Sequence, residues 1–217
     1  SVVSFTLEQP GLATRAYSDG TTATTLTYAV YEAGTKTPLI TSENKVTFTN
    51  KTATVNLRLV TGKSYDILFW ADAENAPYTF NANAQTITVA DNLTSQDENR
   101  DAFFAAEKSL VVDGAINKTI TLYRPFAQLN IGTTDATESS TAATQSRVTV
   151  KNVYKTLNLF DGAVSNETEM TYAMANIPGA GETFPVADVK YLSMNYLLVA
   201  SEKELVEVDF TVTDGTH

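Results

Sequence analysis

Short runs in which apolar and polar residues alternate, each closed by turn-forming residues, recur along the whole chain and constrain it to β-structure. The first is V-V-S-F-T-L-E: Val3, Phe5 and Leu7 alternate with Ser4, Thr6 and Glu8, the period of a half-buried strand. Pro10 and Gly11 end it. Arg15 then sits between small or aromatic neighbours, just ahead of the turn signal S-D-G, and is expected on an accessible loop. A strand tethered only by a basic, protease-accessible loop can be removed, so the arrangement points to assembly by strand replacement.

The alternation continues. L-T-Y-A-V-Y places Leu26, Tyr28 and Val30 on one face, and A-T-V-N-L-R-L-V sets Val55, Leu57 and Leu59 inward. Y-D-I-L-F-W is different, because Ile67 and Phe69 alternate with Leu68 and Trp70 and both faces are apolar. Such a strand belongs mid-sheet with cover on both sides. D-E-N-R-D-A-F-F-A-A-E-K, with acids early and Lys108 late, reads as the one helix of this half. At R-P-F-A-Q-L-N the chain starts again, with Phe126, Leu129 and Ile131 opening a new strand. A polar Thr/Ser/Ala stretch comes next and reads as a long loop. Later runs, down to L-V-E-V-D-F-T-V, have the spacing of a β-sandwich. The expected fold is therefore all-β, with two tandem β-sandwich domains over residues 1–124 and 125–217. The last strand enters a hairpin signal at Gly215 with no partner strand after it, so the second domain is expected to be incomplete.

Composition narrows the chemistry. The chain has 217 residues, 43% of them hydrophobic, and a formal charge of −10; that is enough for a packed core, and the acidity disfavours nucleic acid as a partner. Cys is absent and the one His is His217, which removes thiolate nucleophiles, disulfides, a Ser-His-Asp triad and His or Cys metal sites. No apolar run approaches the roughly 18 residues of a membrane span. The chain opens on Ser1 without a signal peptide, as expected of a mature form whose targeting segment has been removed. Asp97, Glu98 and Asp101 lack the spacing of a calcium loop and read as a solvated helix start. Asp72 and Glu74 share a strand face as a glycosidase pair would, although W-A-D-A-E-N-A-P reads better as the acidic loop that closes the strand. The expectation is no enzyme activity, no cofactor and no metal.

Several of these segments, taken together and in order, resemble the fimbrillin family, the subunits of type V pili of anaerobic Gram-negative bacteria. They are V-S-F-T-L-E-Q-P-G-L-A-T-R-A, L-V-T-G-K-S-Y-D-I-L-F-W-A, I-T-L-Y-R-P-F-A-Q-L-N-I-G and Y-L-S-M-N-Y-L-L-V. The resemblance implies two transthyretin-like Greek-key sandwiches, export as a lipoprotein to the outer membrane and cell surface, and cutting by an arginine-specific surface protease. Arg15 and Ala16 match the cleaved bond, and Val3, Phe5 and Leu7 match the discarded strand. The partners it implies are other pilin subunits, whose donor strand fills the vacated groove in a head-to-tail polymer, and a host protein or glycan receptor. Contact with the membrane would be only through the precursor's lipid anchor. Taken alone, Arg15 is an ordinary loop arginine; its place after the first strand is what gives it a role. The competing reading is a surface lipoprotein that binds glycans, with Trp70, Tyr78 and Phe80 as a stacking platform, against which stands the rule that a lone Trp in an apolar strand is core.

Overall fold

In the computed structural model the described residues are 1–10, 17–40, 44–134, 143–179, 181–202 and 205–214. Among them the chain is all-β, with fifteen strands and one short 3-10 turn, Glu98–Arg100. Strand β1 (Val2–Glu8) lies between β4 (Thr52–Arg58) and β9 (Ile116–Thr121). Facing these three is a sheet ordered β3 (Asn44–Thr47), β2 (Thr25–Glu32), β5 (Ser64–Asp72), β8 (Phe103–Val111). Val3, Phe5 and Leu7 meet Leu26, Val30, Ile67, Phe69 and Phe103 between the two layers. The rings of Phe5 and Phe69 stand edge to face, 5.5 Å apart, the arrangement their quadrupoles favour.

A second core forms on the opposite face of the same β2–β5 pair. There Ala29, Tyr31, Leu68 and Trp70 pack with Val148, Val150 and Val153 of β11 (Gln145–Asn158) and with Met194, Tyr196 and Leu198 of β14 (Lys190–Leu198). Strand β11 pairs with β12 (Val164–Thr171), β13 (Ala175–Asn176) and β15 (Glu207–Thr213), and also with β7 (Thr86–Val89), which carries β6 (Tyr78–Asn81). Strand β14 pairs with β10 (Phe126–Thr133). The β2–β5 layer is thus shared, which is why every residue from Tyr65 to Ala71 is buried. Hydrogen bonding also runs across residue 124, since β6 and β7 precede it and join the sheet of β11.

The expected helix over 97–108 is not formed. Only Glu98–Arg100 turns, capped by the Asp97 side chain accepting from Asn99 N, and from Phe103 onward the segment is β8, antiparallel to β5. Phe103 and Ala105 point into the first core, whereas Phe104 and Ala106 pack against the second. A strand covered on both sides shows no alternation in F-F-A-A, so its period is invisible, and packing overrides helix propensity. Most of the polar stretch read as a long loop lies outside the described residues, as does Gly215.

Candidate functional site

Two places concentrate the residues singled out from the sequence. The first is β1. It is a middle strand, antiparallel to β4 with Phe5 opposite Val55, and parallel to β9 with Phe5 opposite Lys118. Bonds beyond the ladder extend it: Leu59 N donates to Ser1 O at 3.0 Å, Leu122 N to Glu8 O at 2.9 Å and Gln9 N to Lys51 O at 3.0 Å. Val3, Phe5 and Leu7 are each 0% exposed. Lifting out β1 would therefore open a groove with unpaired backbone groups along both walls and apolar pockets in its floor.

Arg15 and Ala16 lie outside the described residues. Beyond them, Tyr17, Ser18 and Asp19 are firmly held. The Tyr17 ring meets Tyr191 edge to face at 5.3 Å. Ser18 N donates to Glu98 Oε1 at 2.6 Å, and Ser18 O accepts from Arg124 Nη2 at 3.0 Å. Asp19 O accepts from Lys51 Nζ at 2.7 Å. Arg124 also forks onto Asp101, Nε to Oδ1 at 2.6 Å and Nη2 to Oδ2 at 2.8 Å, a bidentate geometry of the strong kind. Asp101 is wholly buried, and Glu98 is half-buried with Tyr196 OH donating to its carboxylate at 3.0 Å. The solvated acidic start expected here is thus a buried polar junction. Burial, helped by the nearby charge of Asp101, raises Glu98 to about 7 against the opposing bonds from Ser18 and Tyr196. Among the described residues no group of acids or histidines could hold a metal ion.

The second place is a cleft of about 530 Å³ at the end of the shared sheet, where Trp70, Asp72, Glu74, Tyr78 and Phe80 all come together. Trp70 is not an exposed platform: it is 1% exposed, edge-on to Tyr78 at 5.3 Å and to Phe126 at 6.3 Å. Its Nε1 nonetheless reaches the cleft, donating to Asp72 Oδ2 at 2.8 Å. Burial pushes Asp72 up to about 6, against the pull of that bond and of Lys45. Tyr78 stacks on Phe126 at 5.3 Å and donates its hydroxyl to Arg100 O at 2.6 Å. Asp72 closes β5 and Glu74 stands exposed in the turn beyond it, so W-A-D-A-E-N-A-P does close the strand. Arg100 is a residue that sequence reasoning misses. It is buried, with Nη1 donating to Tyr172 OH at 2.8 Å and its guanidinium over the Phe126 ring at 5.7 Å. A charged residue inside an apparent helix start carries no sign of this.

The profile of DUF6562, a family of unknown function, matches residues 2–217. The chain belongs to that family. No curated protein matches it by sequence. Solved structures do resemble this DUF6562 chain. A candidate adhesin from Bacteroides ovatus aligns with a TM-score of 0.59 at 13% identity, over 98% of this chain and 73% of that one. A fimbrial assembly protein from Parabacteroides distasonis aligns at 0.55 and 14% identity, over 100% and 82%. A candidate cell-adhesion protein from Bacteroides uniformis aligns at 0.54 and 15% identity, over 97% and 80%. The fold is accordingly the one shared by these candidate adhesins and this fimbrial assembly protein, in keeping with the fimbrillin resemblance.

Proposed function

We propose that the chain is a structural subunit of a cell-surface fimbria with a role in adhesion, matured by cleavage after Arg15 and assembled when another subunit's strand replaces β1. The observation that supports this most directly is the position of β1: a middle strand with three fully buried side chains, followed within a few residues by Arg15. Burying a Val, Phe or Leu side chain is worth about 1.5–3 kcal/mol, so the three together contribute roughly 5–9 kcal/mol, comparable with the whole stability of a domain at about 5–15 kcal/mol. A groove that loses this must be refilled. An incoming strand satisfies the backbone of β4 and β9 and the apolar pockets at once, and because donor and groove are different surfaces, the contact is heterologous and propagates. The reading includes export as a lipoprotein, an arginine-specific surface protease, and a host receptor as partners.

The test is exchange itself. Protein nicked after Arg15 is incubated with a labelled synthetic copy of residues 1–15 and with a copy carrying Phe5→Asp. Uptake of the first alone, in exchange for the resident peptide, is expected. Equal uptake of both, or none after prolonged incubation at raised temperature, would count against strand replacement.

A further inference from the structure

The cleft at the end of the shared sheet has no part in strand replacement, and its lining has a chemistry of its own. Its floor is the β2–β5 pair, where Thr25 lies opposite Asp72 and Thr27 opposite Trp70; Lys45 of β3 is the next neighbour of Thr27. One wall is β6 with the turn after it, offering Phe80, Thr79 and Asn83, and Pro38 and Ile40 line the cleft as well. Hydroxyls, amides and a carboxylate therefore alternate with ring and aliphatic surface. Asp72 accepts from Trp70 through Oδ2, which uses part of the roughly four lone-pair sites a carboxylate offers.

Other ligand classes fit this lining poorly. An acyl chain would strand the carboxylates and amides without partners. Asp72 and Glu74 repel phosphates, sulfates and acidic sugars, with Lys45 the only cation among the described lining residues. Metal binding finds no suitable grouping among the described residues. A neutral sugar suits every feature: its hydroxyls pair with Asp72, Asn83 and the threonines, and its C–H faces lie on Phe80 and Ile40. The volume of about 530 Å³ falls within the range of small-ligand sites, about 300–1,000 Å³.

We infer that this cleft binds the uncharged terminal sugars of a glycan, with Asp72 and Asn83 as hydrogen-bonding residues and Phe80 as the apolar face. This goes beyond the assembly role and does not depend on it, because the cleft is formed by β2, β3, β5 and β6 with β1 in place.

The chain's single Trp is Trp70, so the cleft carries its own reporter. The unprocessed protein is screened on an array of neutral, sialylated and sulfated oligosaccharides, and hits are titrated while Trp70 emission is followed. A neutral glycan is expected to bind with a saturable change in emission. Asn83→Ala, at an exposed position, and Asp72→Asn are each expected to weaken it by about tenfold, as loss of a charged or well-formed hydrogen bond does, with unchanged circular dichroism. Absence of any neutral hit, preference for acidic glycans, or wild-type affinity in both variants would overturn the assignment. Because the measurement uses uncut protein, such a failure would leave the strand-replacement reading standing.

Discussion

Ser18 and Glu98, eighty residues apart, are joined by a 2.6 Å hydrogen bond from the Ser18 amide to Oε1, and the bond pins the segment just after Arg15 to the junction of the two cores. Tyr196 of β14 and Arg124 complete the clasp. A cut after Arg15 would therefore sever the covalent link to the chain ahead of it while the new terminus stays held at Tyr17 and Ser18.

This clasp should be sensitive to pH. Glu98 titrates near 7 when folded, against an ordinary value of 4.5, so the folded state holds the proton more tightly. Its contribution to stability is full below about 4.5 and is lost as pH rises through 7. Asp72, raised to about 6, acts in the same direction. Thermal unfolding followed from pH 5 to pH 8 should show a falling Tm, with Glu98 accounting for about 1–2 kcal/mol after allowance for its partial exposure. Glu98→Gln keeps an acceptor for Ser18 and removes the charge, so it should flatten that slope and stabilise the protein at pH 8. An unchanged slope would mean that Glu98 stays ionised throughout.

The ion pair of the wholly buried Asp101 with the half-buried Arg124 should be costly to break and cheap to replace. Arg124→Met leaves a wholly buried carboxylate without its bidentate partner, a loss of about 3–5 kcal/mol. Urea unfolding should show most of that loss recovered in the double variant Asp101→Leu/Arg124→Met. A double variant as unstable as the single one would show that the charges themselves are needed.

Gly132 sits at the register shift of β10 against β14. A Cβ there would stand 2.4 Å from Val189 Cγ1 and 2.9 Å from the backbone oxygen of Lys190. Gly132→Ala should therefore cost about 1–3 kcal/mol, in the range of overpacked cores. A Tm equal to that of the parent would mean that the 184–190 segment gives way without penalty.

Much of the fold is legible in the sequence because strands buried on one side write their burial as alternation. Val3, Phe5 and Leu7 do so, and Y-D-I-L-F-W announces its double cover by having no polar face. The same double cover makes β8 illegible, since F-F-A-A could equally be one face of a helix. Long-range pairing carries no local mark at all. Nothing in T-I-T-V predicts that β7 bonds to β11, with Ile87 opposite Leu157. The cleft falls between these cases: its residues stand out singly, as a Trp platform and an acidic pair, but their meeting depends on β6 folding back beside the end of β5.

Processing should separate cutting from release. Limited trypsin treatment is expected to cut first after Arg15, because the basic residues placed in strands are protected by their ladders. The peptide of residues 1–15 should then remain bound, held by β4 on one side and β9 on the other, so nicked protein should elute as compact as the parent. Phe5→Ala removes the largest inward side chain of β1, which packs on Phe69. It should lower the stability of intact protein by about 3–5 kcal/mol, and in nicked protein it should speed exchange against added donor peptide by weakening the resident strand. Arg15→Ala protein treated identically should keep its strand and refuse the donor. Size-exclusion chromatography with mass spectrometry of the new N-terminus reads all three outcomes. Preferred cleavage elsewhere, or donor uptake by the Arg15→Ala protein equal to that of the parent, would remove Arg15 from the mechanism.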